Sequence, residues 1–464
     1  MGKVASTTKT KKDPAFKPAN IQEHILFSRA VEAVIWGMPA VNFELLWQAT
    51  IQAKSGPNEI VYWSHLPGWK NQTLTPNPDI IYFLPFFDTK QDGPVVIEIP
   101  PANNGSSITG SIDDGWQTAL EDVGPVGVDE GKGGKYLILP PDYNDKLPDG
   151  YIALPCSTYR GFAILRSNLA GSGDADITNA VAYGRQVRIY PLSAEDARIQ
   201  VKFTDAIDTL YDNTIPYDLR FFQLLHRFVQ YEPWLARDKA MIDSLKSLGI
   251  EKGKTFIPNN RTQDILNAAI TEAHTWLDLQ YEEVFNNRYN EEYHWALPAS
   301  RELVEVMSTA YAQADSYPLD ARGMTYSMAF FSPKHLGKGQ FYLMTIKDKN
   351  DTALHGASTY KLTIPANPPV KLYWSAVVYD RATHALTREM KWFSRSSNTP
   401  GLQKNEDGSI DIYFGPNAPS GKESNWIPTN TKSQFEVLFR FYGPEEALSN
   451  KTWKLPDIEK VAHA

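Results

Sequence analysis

From residue 337 to the C-terminus the chain alternates short aromatic or β-branched runs with Gly, Pro and Asn punctuation. The runs include Gln340-Phe341-Tyr342, Tyr373-Trp374-Ser375-Ala376-Val377-Val378-Tyr379 and Ile410-Asp411-Ile412-Tyr413-Phe414, and each stops at a turn-forming residue. Such spelling leaves room for little except consecutive β-strands. In the clearest of them Phe435, Val437, Phe439 and Phe441 alternate with Glu436, Leu438, Arg440 and Tyr442. A period of two sends the first set into a core and turns Arg440 and Tyr442 the other way, toward solvent, a partner or a cleft.

The hydrophobic period changes along the rest of the chain. Between Ile21 and Ala49 apolar residues recur at three- and four-residue steps, which predicts a helix, with Gly37 and Pro39 expected to break or kink it. Residues 60–190 switch to strand runs such as Val95-Val96-Ile97-Glu98-Ile99, Tyr136-Leu137-Ile138-Leu139 and Phe162-Ala163-Ile164-Leu165. Helical faces return at Leu219, Phe222, Leu225 and Phe228, and again at Leu266, Ala269, Ala273 and Leu277. The expected fold is therefore mainly β with a substantial helical part: two antiparallel β-sandwich or jelly-roll-like domains joined by a helical segment. The expected division is a basic disordered tail over 1–18, an N-terminal helix with the first β domain over 19–191, a helical segment over 192–321, and a second β domain over 322–464.

Composition excludes several classes. The 464 residues carry a formal charge of −8 with no long basic run beyond the N-terminus, which argues against nucleic-acid binding through phosphate neutralisation. No stretch reaches the roughly 20 apolar residues of a membrane helix. Cys156 stands alone, so disulfide frameworks and thiolate metal clusters within one chain are excluded, and its place beside Pro155 suits a small core residue. The nine histidines are scattered with no ligand spacing, so no metal site and no cofactor is expected. Aromatic residues at 12% are somewhat abundant; most suit sandwich cores, and some would suit a stacking groove.

Residues 1–18 contain five lysines and no apolar core of a signal peptide. Met1-Gly2-Lys3-Val4-Ala5-Ser6 fits the pattern for N-myristoylation at Gly2, with Lys9, Lys11 and Lys12 favouring anionic lipid; that reading works only in a eukaryote or its virus. Sequons at Asn71, Asn104, Asn260, Asn350 and Asn450 would mark surface loops if a secretory route glycosylates them.

No G-x-S-x-G elbow, H-E-x-x-H helix or G-x-G-x-x-G turn occurs. Gly249-Ile250-Glu251-Lys252-Gly253-Lys254-Thr255 is one residue short of a phosphate-cradling loop and reads as a Gly-stopped helix and turn. Three constellations remain. Asn77, Asp79 and Tyr82 with Asp113, Asp114 and Trp116 would suit sugar hydroxyls or paired-carboxyl chemistry, set against ordinary turn bonding by Asp and Asn. Tyr379-Asp380-Arg381 with His384 follows an apolar strand; Asp380 could orient His384 as a base while Arg381 binds an anion, or the segment is a tied turn. Asn405-Glu406-Asp407-Gly408-Ser409-Ile410-Asp411 lacks the final bidentate Glu of a calcium loop and reads as a hairpin, with Asn425 and Trp426 near the sandwich end.

Two regions carry a family resemblance. Trp374, Ser375, Tyr379, Asp380, Asn405, Asp407-Gly408-Ser409, Gly415-Pro416, Asn425-Trp426, Arg440 and Tyr442-Gly443-Pro444 resemble the bacterial group called domain of unknown function 1214. Asn77-Pro78-Asp79, Tyr82, Asp88, Gly93-Pro94, Asp113, Trp116, Gly133-Gly134-Lys135-Tyr136, Arg160 and Arg166 resemble its usual partner, domain of unknown function 1254. The resemblance implies β-sandwich architecture with helices between, and periplasmic or secreted placement, a virion or cytoplasmic protein being the alternative; it implies no settled reaction. The expected activity is binding of a carbohydrate or a small polar-aromatic ligand in an interdomain cleft, with hydrolysis open and Asp113, Asp380 and His384 as its candidate groups. The expected ligand contacts are Asn77, Asp79, Tyr82, Trp116, Tyr379, Arg381, Asn425 and Trp426, in a homo-oligomer. The competing class is a non-catalytic structural or surface-assembly protein.

Overall fold

The computed structural model describes residues 16–461 apart from 104, 170, 172, 198, 331, 332 and 336–338. The Gly2 motif, most of the expected basic tail and the Asn104 sequon lie outside the described residues. Helices make up 28% and strands 26% of the chain, and no sheet closes into a barrel among the described residues.

Helix α1 spans Ile21–Gln52 and is capped by the Asn20 side chain, which accepts from the Glu23 amide at 3.0 Å. It is buried from Ala33 to Glu44 without an exposed face. A helix apolar on all sides belongs inside a protein. It does not stop at Gly37 and Pro39, because both are crossing points. Helix α2 (Leu219–Tyr231) places Leu225 so close that a Cβ on Gly37 would sit 2.9 Å from it. Pro39 lacks the N–H that would bond Ile35 O. Helix α4 (Leu319–Met328) passes there instead, its Gly323 against Ile35 O and its Arg322 Nη1 donating to Trp36 O at 3.3 Å. Helix α3 (Asn260–Val284) completes this layer.

The first β unit packs two sheets face to face. One has strands β1 (Glu59–Tyr62), β2 (Ile81–Asp88), β3 (Ile108–Asp114), β4 (Ala119–Val123), β5 (Arg160–Ser167) and β6 (Phe203–Asp205), in the order β6-β1-β2-β5-β3-β4. The second is four-stranded and contributes Val95, Ile97, Tyr136 and Ile138 to the shared core. The stretch 192–321 thus supplies β6 as well as helices, and β6 pairs in parallel with β1. Every residue of β2 is buried: Ile81, Phe83 and Phe87 face the sandwich core, while Tyr82, Leu84 and Phe86 face the helices.

The C-terminal unit repeats the plan. Strands β7 (Gln340–Thr345), β8 (Val370–Asp380), β9 (Ser394–Ser396) and β10 (Phe435–Pro444) form an antiparallel sheet in the order β7-β10-β8-β9. Phe435, Val437, Phe439 and Phe441 of β10 enter the sandwich core with Trp374, Ile412 and Phe414. The opposite face, carrying Leu438, Val377 and Tyr379, shares one apolar cluster with α1 and with Tyr82 and Phe162 of the first unit. The helical layer therefore lies between two sandwiches, and the inner faces of both sheets meet around it.

Candidate functional site

Period-two alternation puts Arg440 on the inner face of β10, opposite Tyr342 on β7 and Ser375 on β8. It is 3% exposed. Its Nη2 donates to Thr75 O at 3.1 Å and to the Tyr379 hydroxyl at 2.6 Å, and the rings of Tyr342 and Tyr379 flank the guanidinium. Its Nε and Nη1 are buried without a hydrogen-bond partner. From the first unit, Arg166 on β5 sits in register with Tyr82 on β2, 5.7 Å from that ring, and its Nε is likewise buried without a partner.

The segment Thr75-Pro76-Asn77-Pro78-Asp79 ties the two units together. The Asn77 amide donates to the Tyr82 hydroxyl at 2.9 Å, its side chain donates to the Tyr442 hydroxyl, and its Oδ1 accepts from the Asp79 amide at 3.0 Å. The Tyr379 hydroxyl donates to Pro76 O at 2.6 Å, and Ser394 Oγ donates to Asp79 at 2.6 Å. Thr75 has φ of 38°, a left-handed conformation that a β-branched residue adopts only under constraint. The constraint is visible: His384 O takes its N–H at 2.6 Å while Arg440 holds its carbonyl.

Arg166 and Arg440 both line one cavity with Thr75, Asn77, Tyr82 and Tyr342, and its far side is Phe330, Met328, Met344, Leu438 and Pro298. The cavity has a volume of about 50 Å³. A second cavity of about 50 Å³ shares Thr75, Tyr82, Arg166 and Phe330 as its wall and is otherwise mostly apolar, with Leu46, Trp63, Leu84 and Ile164. Each could hold a few waters or a small ligand.

The buried arginines divide by partner. Arg160 and Arg381 are each paired with a carboxylate, whereas Arg322 and Arg395 make no ion pair among the described residues and bond to carbonyls and a tyrosine hydroxyl instead. Neither Arg166 nor Arg440 makes an ion pair among the described residues, and no Asp, Glu, His, Cys or Lys lines either cavity. Burial pushes the phenols of Tyr373, Tyr379 and Tyr442 well up, so they stay neutral. Burial also pushes the Asp79 carboxyl up, against the Ser394 bond and the positive Arg440 and Arg395. The site is rich in donors and poor in negative charge.

Of the residues singled out from sequence, Asn77 and Tyr82 line this cavity, and Asp79 and Tyr379 brace it from behind. The others lie elsewhere. Trp116 packs edge-on against Trp36 and Phe228 among the helices, beneath the Arg322 guanidinium. Asp113 is buried on β3 outside the cavity walls, and Asp114 accepts from the Trp116 and Thr118 amides. Arg381 pairs with Asp278 over the ring of Tyr281. Asn425 is consumed by backbone bonds to Gln403 and Asp411, and the Trp426 indole donates to Gly415 O at the far end of the sandwich.

Asp380 does not orient the His384 ring. Its carboxylate accepts from the Ala382 and Thr383 amides, which is the work of a turn. The carboxylate facing His384 is the fully buried Glu436, 2.9 Å from Nδ1, and its other oxygen accepts from the Tyr281 hydroxyl at 2.7 Å. Among the described residues no group of three or more His, Cys, Asp or Glu could hold a metal ion, and no helix is long and apolar enough to cross a membrane.

What this geometry defines is a paired-sandwich protein with a helical layer and an arginine–tyrosine cavity between its halves. Residues 57–191 match the family described as Protein of unknown function (DUF1254), and residues 339–446 match Protein of unknown function (DUF1214). The two matches together cover more than half of the chain, which belongs to the group that joins them in this order. The crystal structure of the VPA0106 protein from Vibrio parahaemolyticus superposes with a TM-score of 0.58 at 18% identity, covering 94% of this chain and 100% of that one, so the fold is shared. A putative uncharacterized protein from Burkholderia cenocepacia matches at a TM-score of 0.40 and 9% identity over 95% of each chain. No functionally curated protein matches the sequence.

Proposed function

We propose that this protein binds a small anionic ligand in the cavity between its two sandwiches. One observation carries the reading: two largely buried guanidiniums line one cavity, and among the described residues no carboxylate pairs with either. An uncompensated buried charge is costly, and such groups persist where a partner of opposite sign arrives. Sugar recognition suits the walls less well. Sugar hydroxyls need acceptors as well as donors, whereas arginine only donates, and among the described residues the side-chain acceptors on this wall are Asn77, whose Oδ1 already takes the Asp79 amide, and four hydroxyls. The reading is binding rather than hydrolysis, since no imidazole, carboxylate or thiol among the described residues reaches the cavity to act as a base.

Melting temperatures of the full chain in acetate, in inorganic phosphate and in chloride at equal ionic strength test it. A ligand at about 100 times its Kd adds roughly 2.7 kcal/mol of stability. At least one of the two anions should raise the melting temperature above the chloride value, and Arg440→Gln should abolish the rise. Identical melts in all three salts would return the protein to the competing class, a non-catalytic structural or surface-assembly chain.

A further inference from the structure

The cavity has two chemically different sides, and the placement of its charge says what kind of anion fits. Cross-strand pairs make the division: Arg440 with Tyr342, beside Arg166 and Tyr82, and one step along the same sheet face Leu438 with Met344, joined by Met328 and Phe330. An inorganic phosphate or sulfate carries oxygens in every direction. Seated at the guanidiniums, it would press oxygens against the methionine side, where the Thr325 hydroxyl is the sole side-chain donor among the described lining residues, and a buried acceptor left unpaired is expensive. A carboxylate concentrates its charge at one end and carries carbon at the other. From this division we infer that the ligand is a small organic monocarboxylate, its carboxylate between Arg440 and Arg166 and its hydrocarbon body against Met328, Met344, Leu438 and Phe330.

This rests on the anion-binding reading and narrows it. Three further observations favour it. Arg440 is held in place by Thr75 O and Tyr379 yet keeps Nε and Nη1 unused, so donors are oriented before any ligand arrives. Two of the apolar side's largest side chains are methionines, which are unbranched and adapt to ligands of different outline. The adjoining cavity, walled off by Tyr82, Arg166 and Phe330, is mostly apolar as well, so a longer tail would extend into hydrocarbon rather than water.

The test is titration calorimetry on the full chain with acetate, butyrate, benzoate and 3-phenylpropionate, with benzamide as the neutral isostere and inorganic phosphate as the tailless anion. Affinity should rise about fourfold per added methylene until the cavity is full. Benzamide should bind at least tenfold more weakly than benzoate. Met328→Phe, which fills the apolar side and leaves both arginines in place, should erase the gain from the tail; its ligand-free melt reports whether it folds. If it does not fold, the wild-type series decides alone. Binding of phosphate with no gain from any tail would overturn the inference and leave the anion reading standing. Benzamide matching benzoate would also overturn it, since charge would then be no anchor. Silence from every anion would overturn both.

Discussion

Arg160→Met should destabilise the protein by about 3–5 kcal/mol, the cost of breaking a buried ion pair by removing one partner. Arg160 opens β5, on the same inner face as Arg166, and it is the opposite electrostatic case. Its Nε donates to Glu232 Oε1 at 2.9 Å and its Nη2 to Glu44, while the ring of Tyr231 lies 4.3 Å from the guanidinium. Glu44 and Glu232 side chains are 0% and 1% exposed, so the substitution would strand two carboxylates away from water. Arg166→Met strands none, and should cost about 1 kcal/mol, the worth of its guanidinium over the ring of Tyr82. Urea denaturation of both variants checks the contrast. Equal losses would mean that the strand tolerates neither side chain for reasons of packing, and the charge argument for the cavity would lose its internal control.

The same cluster should leave a signature in pH. Burial pushes the Glu232 carboxyl up to about 7, against the opposing pull of Arg160. The folded state therefore keeps a proton over a range where the unfolded chain, with an ordinary glutamate near 4.5, has released it. Between those two values the unfolded state binds fewer protons, so this group's contribution falls as pH rises, by at most about 1.4 kcal/mol per pH unit, and flattens above 7. In Glu44→Gln the amide oxygen can keep the Arg160 bond, because Glu44 Oε2 has no partner to lose. One carboxylate then faces one guanidinium, and the slope between pH 5 and 7 should shrink.

How much of this was written in the sequence depends on the range of the interaction. The two-residue alternation of β10 sent Phe435, Val437, Phe439 and Phe441 to a core and Arg440 away from it, and the structure holds that division. Arg440 nevertheless does not reach solvent, because what covers it is α4 and the first sandwich with its Thr75–Asn77 segment, and no local pattern encodes that. The Gly37–Pro39 pair shows the same limit from the other side. Read locally it ends a helix; in the fold it makes room for α2 and α4 to cross α1, and tertiary packing overrides the local cost. Arg166 follows an apolar strand run, and nothing in its spacing links it to Arg440. Asp380 and His384 were neighbours in sequence and so invited pairing, yet the carboxylate that meets the imidazole comes from a position 52 residues away. Turn chemistry was legible because it is local; charge pairing was not, because it is made by the sheets.

Trp374 and Asp380, six residues apart on β8, should respond in opposite ways to substitution. Trp374 is 2% exposed, stacks on Phe439 with ring centroids 5.4 Å apart, and fills the centre of the C-terminal core. Truncation to Ala removes the transfer energy of the indole and leaves a cavity that the flanking strands β9 and β10 cannot close, so the expected loss is about 3–5 kcal/mol. Trp374→Phe keeps a ring against Phe439 and should recover a large part of it. Asp380 ends the same strand with its carboxylate on two turn amides. Asn offers the same acceptor in the same shape, so Asp380→Asn should change stability by a few tenths of a kcal/mol. It should also leave carboxylate binding unchanged, because the turn stands outside the cavity walls. Denaturation midpoints for the three variants, with binding measured on those that fold, decide the matter. If Asp380→Asn keeps its stability and loses the ligand, the site extends past Tyr379 to the strand end, and the boundary drawn here around Arg440 and Arg166 is too tight.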